Sequence, residues 1–600
     1  GISEKKCQEI AREVQKIFSL RTLMIYLSQY HIPARYAMKA FQQWGINSRD
    51  VIDGNPYALC SELIGLPFQK AEVLARSLRI ALDSEQRILA GLQYLLTENT
   101  FSGHTCLPLD KLQPLSCKYL GIGEQDFYAN YNQALENQQL YEYKKGEREF
   151  VYLPEYYIAE SYIADRINVI LEFSAPEDYD YEALIDLEEQ EKQIKYESLQ
   201  RKAITTALSR GLMVLTGGPG TGKTTTLNAI ISLYEKQGKK VLIAAPTGRA
   251  AKRISDLTGY EAKTIHRLLE VQFDSNERLT FKHNEKDPLD CEVLVVDEMS
   301  MVDVLLFEHL LRALKLHCRI VLVGDSDQLP SVGAGNLLRD LIDGGCIPVI
   351  ALQEIFRQAQ QSCIVTNAHR IVRGEDPDLM QKQNDFFFLQ RLKPEPACEL
   401  VISLCRDRLP KAYGFDPLND IQVIAPARKG TLGVIALNQA LQEALNPKKK
   451  GMAECKTALY TFRVGDKVMQ TRNNYDILWK KDGEQGTGIF NGDIGRILEI
   501  NRAQMIATID FDGRITPYPL DVLDQLELAY AITVHKSQGS EFEAVVIPIL
   551  GGFEKLYYRN LLYTAVTRAK KLLILVGSRK KIEEMVHNNR RTNRYSCRTC

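Results

Sequence analysis

Residues 213–225 read MVLTGGPGTGKTT, a short apolar strand that feeds a glycine-rich loop and then a helix running to about Tyr234. Gly217 through Thr224 satisfies every fixed position of the phosphate-loop pattern G-x-x-x-x-G-K-[ST]. Glycines let backbone N–H groups turn inward around phosphate oxygens, and the following helix N-terminus adds positive potential. Gly217, Gly218, Pro219, Gly220, Thr221, Gly222, Lys223, Thr224 and Thr225 are therefore expected to form a phosphate cradle. Lys223 is placed to reach the β and γ phosphates, and the Thr224 hydroxyl to hold Mg²⁺. The strand–loop–helix context argues against a chance match, so the chain is expected to bind a nucleoside triphosphate.

A chain of 600 residues suggests roughly four domains. Hydrophobic content of 45% with 25% charged residues describes a globular protein with ample core material. The net charge of −1 gives no global sign of a polyanionic partner, so any nucleic-acid surface must be a local groove. The 13 cysteines lack framework spacing, which fits reduced thiols. Cys597 and Cys600 form a lone C-x-x-C, read as a frayed tail rather than a zinc site. No apolar run approaches ~18 residues, and the amphipathic start has no secretory pattern. A cytoplasmic, bacterial, nucleoid-associated protein with no membrane partner is expected.

Residues 1–85 read as short helices broken by Gly, Pro and Asn. His31-Ile32-Pro33 and Ile64-Gly65-Leu66-Pro67 each precede a helix with small residues, as in helix-hairpin-helix units that offer backbone N–H groups to DNA phosphates. A G-x-G would ordinarily stand at Gly65-Leu66-Pro67, and a plain helical bundle is the competing reading. Residues 86–175 are expected to form a winged-helix-like module, and the acidic run Ser174–Glu191 a linker. Strand candidates at 212–216, 241–245, 292–296, 319–323 and 348–352 alternate with helices, as parallel α/β folds do. A second series lies at 385–389, 421–425, 544–549 and 572–577. Two α/β cores are expected, over 190–345 and over 346–450 with 524–590, the second interrupted by a small β-barrel at 455–523.

Val293-Leu294-Val295-Val296-Asp297-Glu298 is a buried strand ending in adjacent carboxylates, about 75 residues after the phosphate loop. In that setting Asp297 holds Mg²⁺ and Glu298 polarises the attacking water. The strand at Leu322-Val323 delivers Asp325-Ser326-Asp327-Gln328 to the sheet edge where such folds bind ligands. Gln328 both donates and accepts without titrating, which suits sensing a γ-phosphate or its water.

The ordered set GGPGTGKTTT, APTGRAAKRI, TIHRLL, VVDEMSMVD, LVGDSDQLPSVGAG, IFRQA, TVHKSQGSEF and YTAVTRAKKLLILVG resembles superfamily 1 helicases, and within them the RecD-like branch that moves 5′→3′ on single-stranded DNA. The resemblance covers about residues 195–590, and NPYAL and GHTCLP near 55–59 and 103–108 are similar to the stand-alone, long-N-terminus form. It implies two RecA-like motor cores, an SH3-like barrel and, ahead of Gly1, a further N-terminal module. Gln200 then sits where the family reads adenine, and Arg357 and Arg568 where arginines complete the charge clamp across the cleft. Gly539 and Glu541 are expected near the nucleotide.

DNA contacts are expected at Pro246, Thr247 and Arg249, at Thr264 and His266, and on the second core at Thr533, His535, Lys536 and Ser537. His266 and His535 have no Cys or carboxylate at ligand spacing beside them, so phosphate or base contact is favoured over metal. The string Gln470-Thr471-Arg472-Asn473-Asn474 rims the barrel, with Arg472 and Asn473 expected at DNA or nucleotide. Residues 270–288 read as a β-hairpin around Asp274-Ser275-Asn276-Glu277, which the family uses to split a duplex. The expected activity is ATP- and Mg²⁺-dependent unwinding by a monomer, in DNA repair or recombination. Its track is single-stranded DNA and 5′-tailed duplex, and single-strand-binding or repair proteins are candidate partners. Three alternatives stand beside it: an ATPase switch that remodels protein–DNA complexes without unwinding, a motor subunit of a nuclease complex, and a motor with RNA as its track.

Overall fold

The computed structural model describes residues 4–173, 180–274, 278–381, 384–552, 554–590 and 594–596. The first core is a six-stranded sheet of β1 (Leu212–Gly217), β2 (Val241–Ala245), β3 (Ala262–Thr264), β4 (Val293–Val296), β5 (Arg319–Gly324) and β6 (Val349–Leu352), in the order β6-β1-β5-β4-β2-β3. All its pairings are parallel. Alternate residues of one strand enter different cores: Met213, Leu215, Val293 and Val295 pack on one face, Leu212, Val214, Leu294 and Val296 on the other. Burial on both faces explains why these strands read as unbroken apolar runs.

The second core repeats the plan with β7 (Phe386–Gln390), β8 (Ile421–Ala425), β9 (Ala531–Thr533), β10 (Phe542–Ile549) and β11 (Ala569–Gly577), ordered β7-β11-β10-β8-β9 and again parallel. The short edge strands β3 and β9 were not among the expected strands, because three residues carry no periodicity. Between β8 and β9 lies a seven-stranded antiparallel sheet spanning residues 467–528. Its Ile477, Ile497, Ile509 and Phe511 share one cluster with Val423 and Val546 of the second core. Fully buried Asp466 anchors the junction, accepting from Gln442 Nε2 at 2.7 Å, Asn446 Nδ2 at 2.8 Å and Tyr530 Oη at 2.7 Å.

Helices fill residues 4–101 apart from short turns, and a three-stranded sheet (106–108, 148–152, 141–145) with helices Leu109–Leu120 and Glu124–Glu136 follows. Two boundaries differ from expectation. Helix Pro154–Phe173 buries Ala159, Ile163 and Ile167 against the first core. The acidic run is no linker over its second half, because Tyr181–Lys192 is a helix that buries Tyr181 and Ile185 in the first core. Its Glu188 is ion-paired at 2.6 Å to both Lys192 and Lys236, which lets one acid sit buried among charges. Residues 174–179 of that run, Ser275 to Glu277 of the hairpin turn, and Cys597 and Cys600 lie outside the described residues. Near the C-terminus Arg594 Nη1 donates to Gly335 O at 2.8 Å and Tyr595 N to His104 Nδ1 at 3.1 Å, tying the loop after Gln328 to the N-terminal module. Among the described residues no helix is long and apolar enough to cross a membrane.

Lys467, on the first strand of the inserted sheet, is 8% exposed and donates to Gln422 Oε1 at 2.9 Å. Burial, with the Arg249 charge adding, pushes its amine down to about 7; Cys405, Asp416 and Asp420 oppose the shift. The folded chain thus sheds a proton that the unfolded chain keeps up to about pH 10.4, so this group contributes destabilisation that is largest at and below pH 7 and fades as pH rises. Lys467→Met is expected to raise stability toward denaturant more at pH 6.5 than at pH 9.5, by a difference of about 3 kcal/mol; equal gains at both pH values would contradict a buried neutral amine.

Candidate nucleotide and nucleic-acid sites

β1 ends in the phosphate loop, and helix α1 (Lys223–Lys236) starts immediately after Gly222, whose φ of +83° is closed to most side chains. A Cβ there would also stand 2.7 Å from Gln200 Nε2 and inside the Phe356 ring. The loop is gripped from beyond the first core: His369 Nε2 donates to Pro219 O at 2.8 Å, and Phe356 N to Gly220 O at 3.1 Å. Lys223 Nζ is folded onto its own loop, donating to Gly217 O and, at 3.0 Å, to Gly218 O. A phosphate entering the loop competes with two carbonyls for this ammonium.

Lys223, Thr224, Asp297, Glu298 and Gln328 of the first core line one cavity with Glu541, Thr567 and Arg568 of the second. Burial first, then the neighbouring Glu298 carboxylate, pushes Asp297 up to about 6. Glu298 sits at φ +54°, a left-handed conformation that costs a non-glycine residue roughly 1 kcal/mol or more. It is held by an ion pair of 2.8 Å to Arg253, whose other arm reaches Glu541 across the cleft at 2.7 Å. Gln328 donates weakly to Asp325 at 3.4 Å, and its Oε1 is buried with no hydrogen-bond partner among the described residues. An orphan acceptor at this position fits a water or a phosphate hydroxyl as its missing donor.

Among the described residues no group of three or more His, Cys, Asp or Glu could hold a metal. A Thr224 hydroxyl and one Asp297 carboxylate instead fit Mg²⁺, which takes few protein oxygens and shares the rest with phosphates and water.

The other expected nucleotide residues divide. Gln200 is buried, with Nε2 3.1 Å from Thr226 Oγ1 and Oε1 accepting from Glu197 N at 3.0 Å, so its amide already caps a helix beside the loop. Gly539, at φ +71°, lies outside the small cavity, and a Cβ there would stand 3.0 Å from Thr247 Oγ1 and 3.2 Å from Met301 Sδ. Arg568 lies at the cavity but turns its guanidinium inward, donating to Ser540 O at 2.9 Å and Thr564 O at 3.1 Å. Arg357 opens a short helix beside Phe356, is exposed, and is not in the cavity wall. Thr225 is exposed on α1, and Arg472 is exposed on the barrel rim 3.6 Å from Asp524; neither reaches this cavity.

The two cores repeat one device on the nucleic-acid side. β3 ends at Thr264, whose hydroxyl caps the helix carrying His266; β9 ends at Thr533, whose hydroxyl caps the helix carrying His535. Burial lowers the pKa of both imidazoles. Pro246 closes β2, and Thr247 caps helix α2 (Gly248–Thr258). Thr264, His266 and Arg249 line a cleft of about 1010 Å³ whose far wall is the barrel's Trp479, Phe490 and Arg514. Lys536 Nζ donates to Asn491 at 2.5 Å, and Asn491 N to Asn473 Oδ1 at 2.9 Å, so the second core and the barrel rim meet there. Ser537 is fully buried with its hydroxyl on Val534 O, which leaves it no free donor for DNA.

Arg253, His369, Trp479 and Phe490 escaped the sequence reading. The aromatic pair had a signal, namely aromatics among basic residues in a glycine-rich stretch; the other two had none short of three dimensions.

Two parallel-sheet cores sharing a phosphate-loop cavity define a two-core nucleotide-driven motor. Family models match in sequence: an ATP-dependent RecD2 DNA helicase HHH domain over 16–106, an AAA domain over 200–334, an ATP-dependent RecD-like DNA helicase SH3 domain over 437–511 and a UvrD-like helicase C-terminal domain over 528–576. The ATP-dependent RecD2 DNA helicase of Deinococcus radiodurans is 32% identical over 590 residues, 96% of this chain and 77% of that protein. The RecBCD enzyme subunit RecD of Mycolicibacterium smegmatis is 32% identical over 422 residues, 64% of this chain and 72% of that one. A crystal structure of Pif1 helicase from Candida albicans matches at a TM-score of 0.40 and 20% identity, covering 66% of this chain and 98% of that one. The chain belongs to the RecD-like superfamily 1 helicases, in the RecD2 branch.

Lys223→Ala is expected to abolish nucleotide hydrolysis, whereas Glu298→Gln should slow it by about 10²–10⁴ while nucleotide binding persists. Fluorescent-nucleotide titration beside steady-state turnover separates the two, and a Glu298→Gln protein of normal rate would remove Glu298 from the chemistry.

Proposed function

We propose that the chain is an ATP-driven motor that moves 5′→3′ along single-stranded DNA and opens duplex ahead of it, in repair or recombination. The observation that carries this is a cavity built from both cores, with Lys223, Asp297 and Glu298 on one side and Glu541 and Arg568 on the other. Its volume of about 70 Å³ is far below the ~300 Å³ at which small-molecule sites begin. ATP entry therefore requires the cores to part or the side chains to swing. Contacts across the cleft keep them closed, among them Tyr563 Oη to Asp325 at 2.5 Å, Asn560 Nδ2 to Asp327 O at 2.6 Å, Leu329 N to Thr564 Oγ1 at 2.9 Å and Gln538 Nε2 to Leu329 O at 2.8 Å.

With ATP bound, Lys223 exchanges its loop carbonyls for the β and γ phosphates, and Arg568 exchanges Ser540 O for the γ-phosphate. Gln328 and Glu298 orient the attacking water, and Glu298 must leave Arg253 to do so. Held by Thr224 and Asp297, Mg²⁺ would neutralise phosphate charge. Because one core supplies Lys223 and the other Arg568, the triphosphate favours the closed state and its cleavage removes that preference. The paired Thr–His grips on the two cores would then approach and part along the strand.

The hairpin of Val271–Phe273 with Leu279–Phe281 supports unwinding over simple remodelling. Phe273 stands against Tyr475 of the barrel at 5.7 Å, and Arg278 near Glu62 of the N-terminal helices at 3.8 Å. A ribbon so braced suits a wedge at a fork. Single-stranded DNA, 5′-tailed duplex and single-strand-binding or repair proteins are the proposed partners, a monomer the proposed working form, and the bacterial cytoplasm the proposed setting.

Arg568→Ala should leave nucleotide affinity within about threefold yet cut turnover by ~10³ or more; matched losses of both would end its assignment as a cross-cleft finger. With ATP and Mg²⁺, a duplex bearing a 5′ single-stranded tail should open and one bearing a 3′ tail should not, and the reverse preference would overturn the proposed polarity.

A further inference from the structure

Beside the nucleotide cavity lies a second one of about 580 Å³, and Arg253 and Glu541 line both. Their 2.7 Å ion pair is the partition between the two spaces. Three bodies wall the outer cavity: α2 with Arg249 and Arg253, the inserted sheet with Lys467 and Arg496, and the second core with Glu541 and Lys570.

Two of these groups, Arg249 and Lys467, are poorly answered, whereas Arg253 is paired with Glu298 and Glu541 and Lys570 stands 3.9 Å from Glu543. Arg249 donates only a long 3.4 Å bond to Ser540 Oγ, and its Nε is buried with no hydrogen-bond partner among the described residues. Arg253 Nε is buried in the same condition. Lys467 has a neutral amide as its hydrogen-bond acceptor. Of the acids nearby, Asp493 is paired with Arg514 at 2.9 Å, Asp512 stands 3.8 Å from Lys252, Asp510 accepts from Gly513 N at 2.6 Å, and Asp256 lines the cavity. Burial lowers the pKa of Arg249 against the opposing pull of Asp512 and Asp493, and it pushes the Lys467 amine down to about 7, so desolvation outweighs compensation at both. Desolvated cations without partners are costly, and a mobile anion relieves the cost.

Position selects the anion. The wall shared with the inner cavity is its γ-phosphate end, beside Glu298, Gln328 and Arg568. Attack of water there forms a P–O bond, breaks the bond to the β-phosphate bridge oxygen, sends that electron pair out with ADP, and leaves orthophosphate carrying the water's oxygen. We propose that the 580 Å³ cavity receives this orthophosphate and is its way out, with the Arg253–Glu541 pair as the gate. The inference rests on the ATPase reading above and adds the exit route. Opening needs only that Arg253 exchange one carboxylate for the departing phosphate, and the lysines and arginines beyond offer successive charges to a dianion crossing protein.

The test uses the whole chain with ATP, Mg²⁺ and saturating single-stranded DNA. First-turnover ADP formation is read by rapid quench, and free phosphate by a fluorescent phosphate-binding reporter. Arg496 is exposed and absent from the nucleotide cavity, so Arg496→Glu spares the fold and the chemistry. It should leave ADP formation unchanged while slowing phosphate appearance about tenfold, the factor that 1.4 kcal/mol represents. Lys570→Glu should act in the same direction, and Arg496→Lys should restore release to within twofold. Phosphate appearing in step with ADP in both Glu variants would overturn the assignment. So would a loss of single-strand affinity with release intact, since the cavity would then serve a DNA backbone phosphate. If the unaltered chain formed no ADP, the ATPase reading would fall first and this one with it.

Discussion

A parallel sheet hides both of its faces, so the only places left for chemistry are the ends of its strands. Here two such sheets turn those ends toward each other, and the cleft between them is where the phosphate loop, Asp297, Glu298 and Arg568 converge. The cleft is closed by buried polar bonds around Leu329, which itself packs into the apolar cluster of the second core. Tyr563 is fully buried with its hydroxyl on Asp325, and Gln538 and Thr564 satisfy the backbone of Leu329. Bonds of this kind are strong when made and costly when half made, which favours two discrete arrangements of the cores over a continuum. A motor needs that bistability, because a ligand can shift an equilibrium only by its difference in affinity for the two states.

Helix α2 is the element that touches every compartment. Arg249 borders both the large cleft facing the barrel and the outer cavity; one turn on, Arg253 borders the outer cavity and the nucleotide cavity. A rigid helix of 11 residues thus places a nucleic-acid-side cation and a Glu298-holding cation on one face, at i and i+4. Movement of the first core against the second bears on the Arg253–Glu541 ion pair, and Arg253 also holds Glu298. This is a physical link between the large cleft and the phosphate-loop cavity, carried by two side chains rather than by distance alone.

The cores were legible because their residues answer to local rules. Buried strands read as apolar runs, and the phosphate loop needs its glycines in fixed order. The junctions between bodies were not. The helix Tyr181–Lys192 looked like solvated acid because its support comes from Lys236 and from two buried side chains, a pattern diluted by seven polar neighbours among its 12 residues. Edge strands β3 and β9 were too short to show alternation. Within the site, Lys223, Thr224, Asp297, Glu298 and Gln328 line one cavity, but nothing in the string APTGRAAKRI singles out Arg253. Its role depends on Glu298 and Glu541, which are 45 and 288 residues away along the chain and one ion pair away in space.

The same argument explains why a net charge of −1 is a poor guide to what the surface attracts. Charges cancel over the whole chain, but fields act locally and strengthen where water is excluded. The Arg249 charge adds to burial in pushing down the Lys467 amine, and both side chains line the cavity walled by three bodies. Holding Lys467 in its ammonium form beside Arg249 is unfavourable for folding alone. It becomes favourable only in the presence of anions that arrive and leave, and in a triphosphate motor one new anion is produced a side chain away on every turnover. The surplus of buried cations is therefore best understood as part of the working cycle, a cost to stability carried by the resting state for the sake of the step that empties the site.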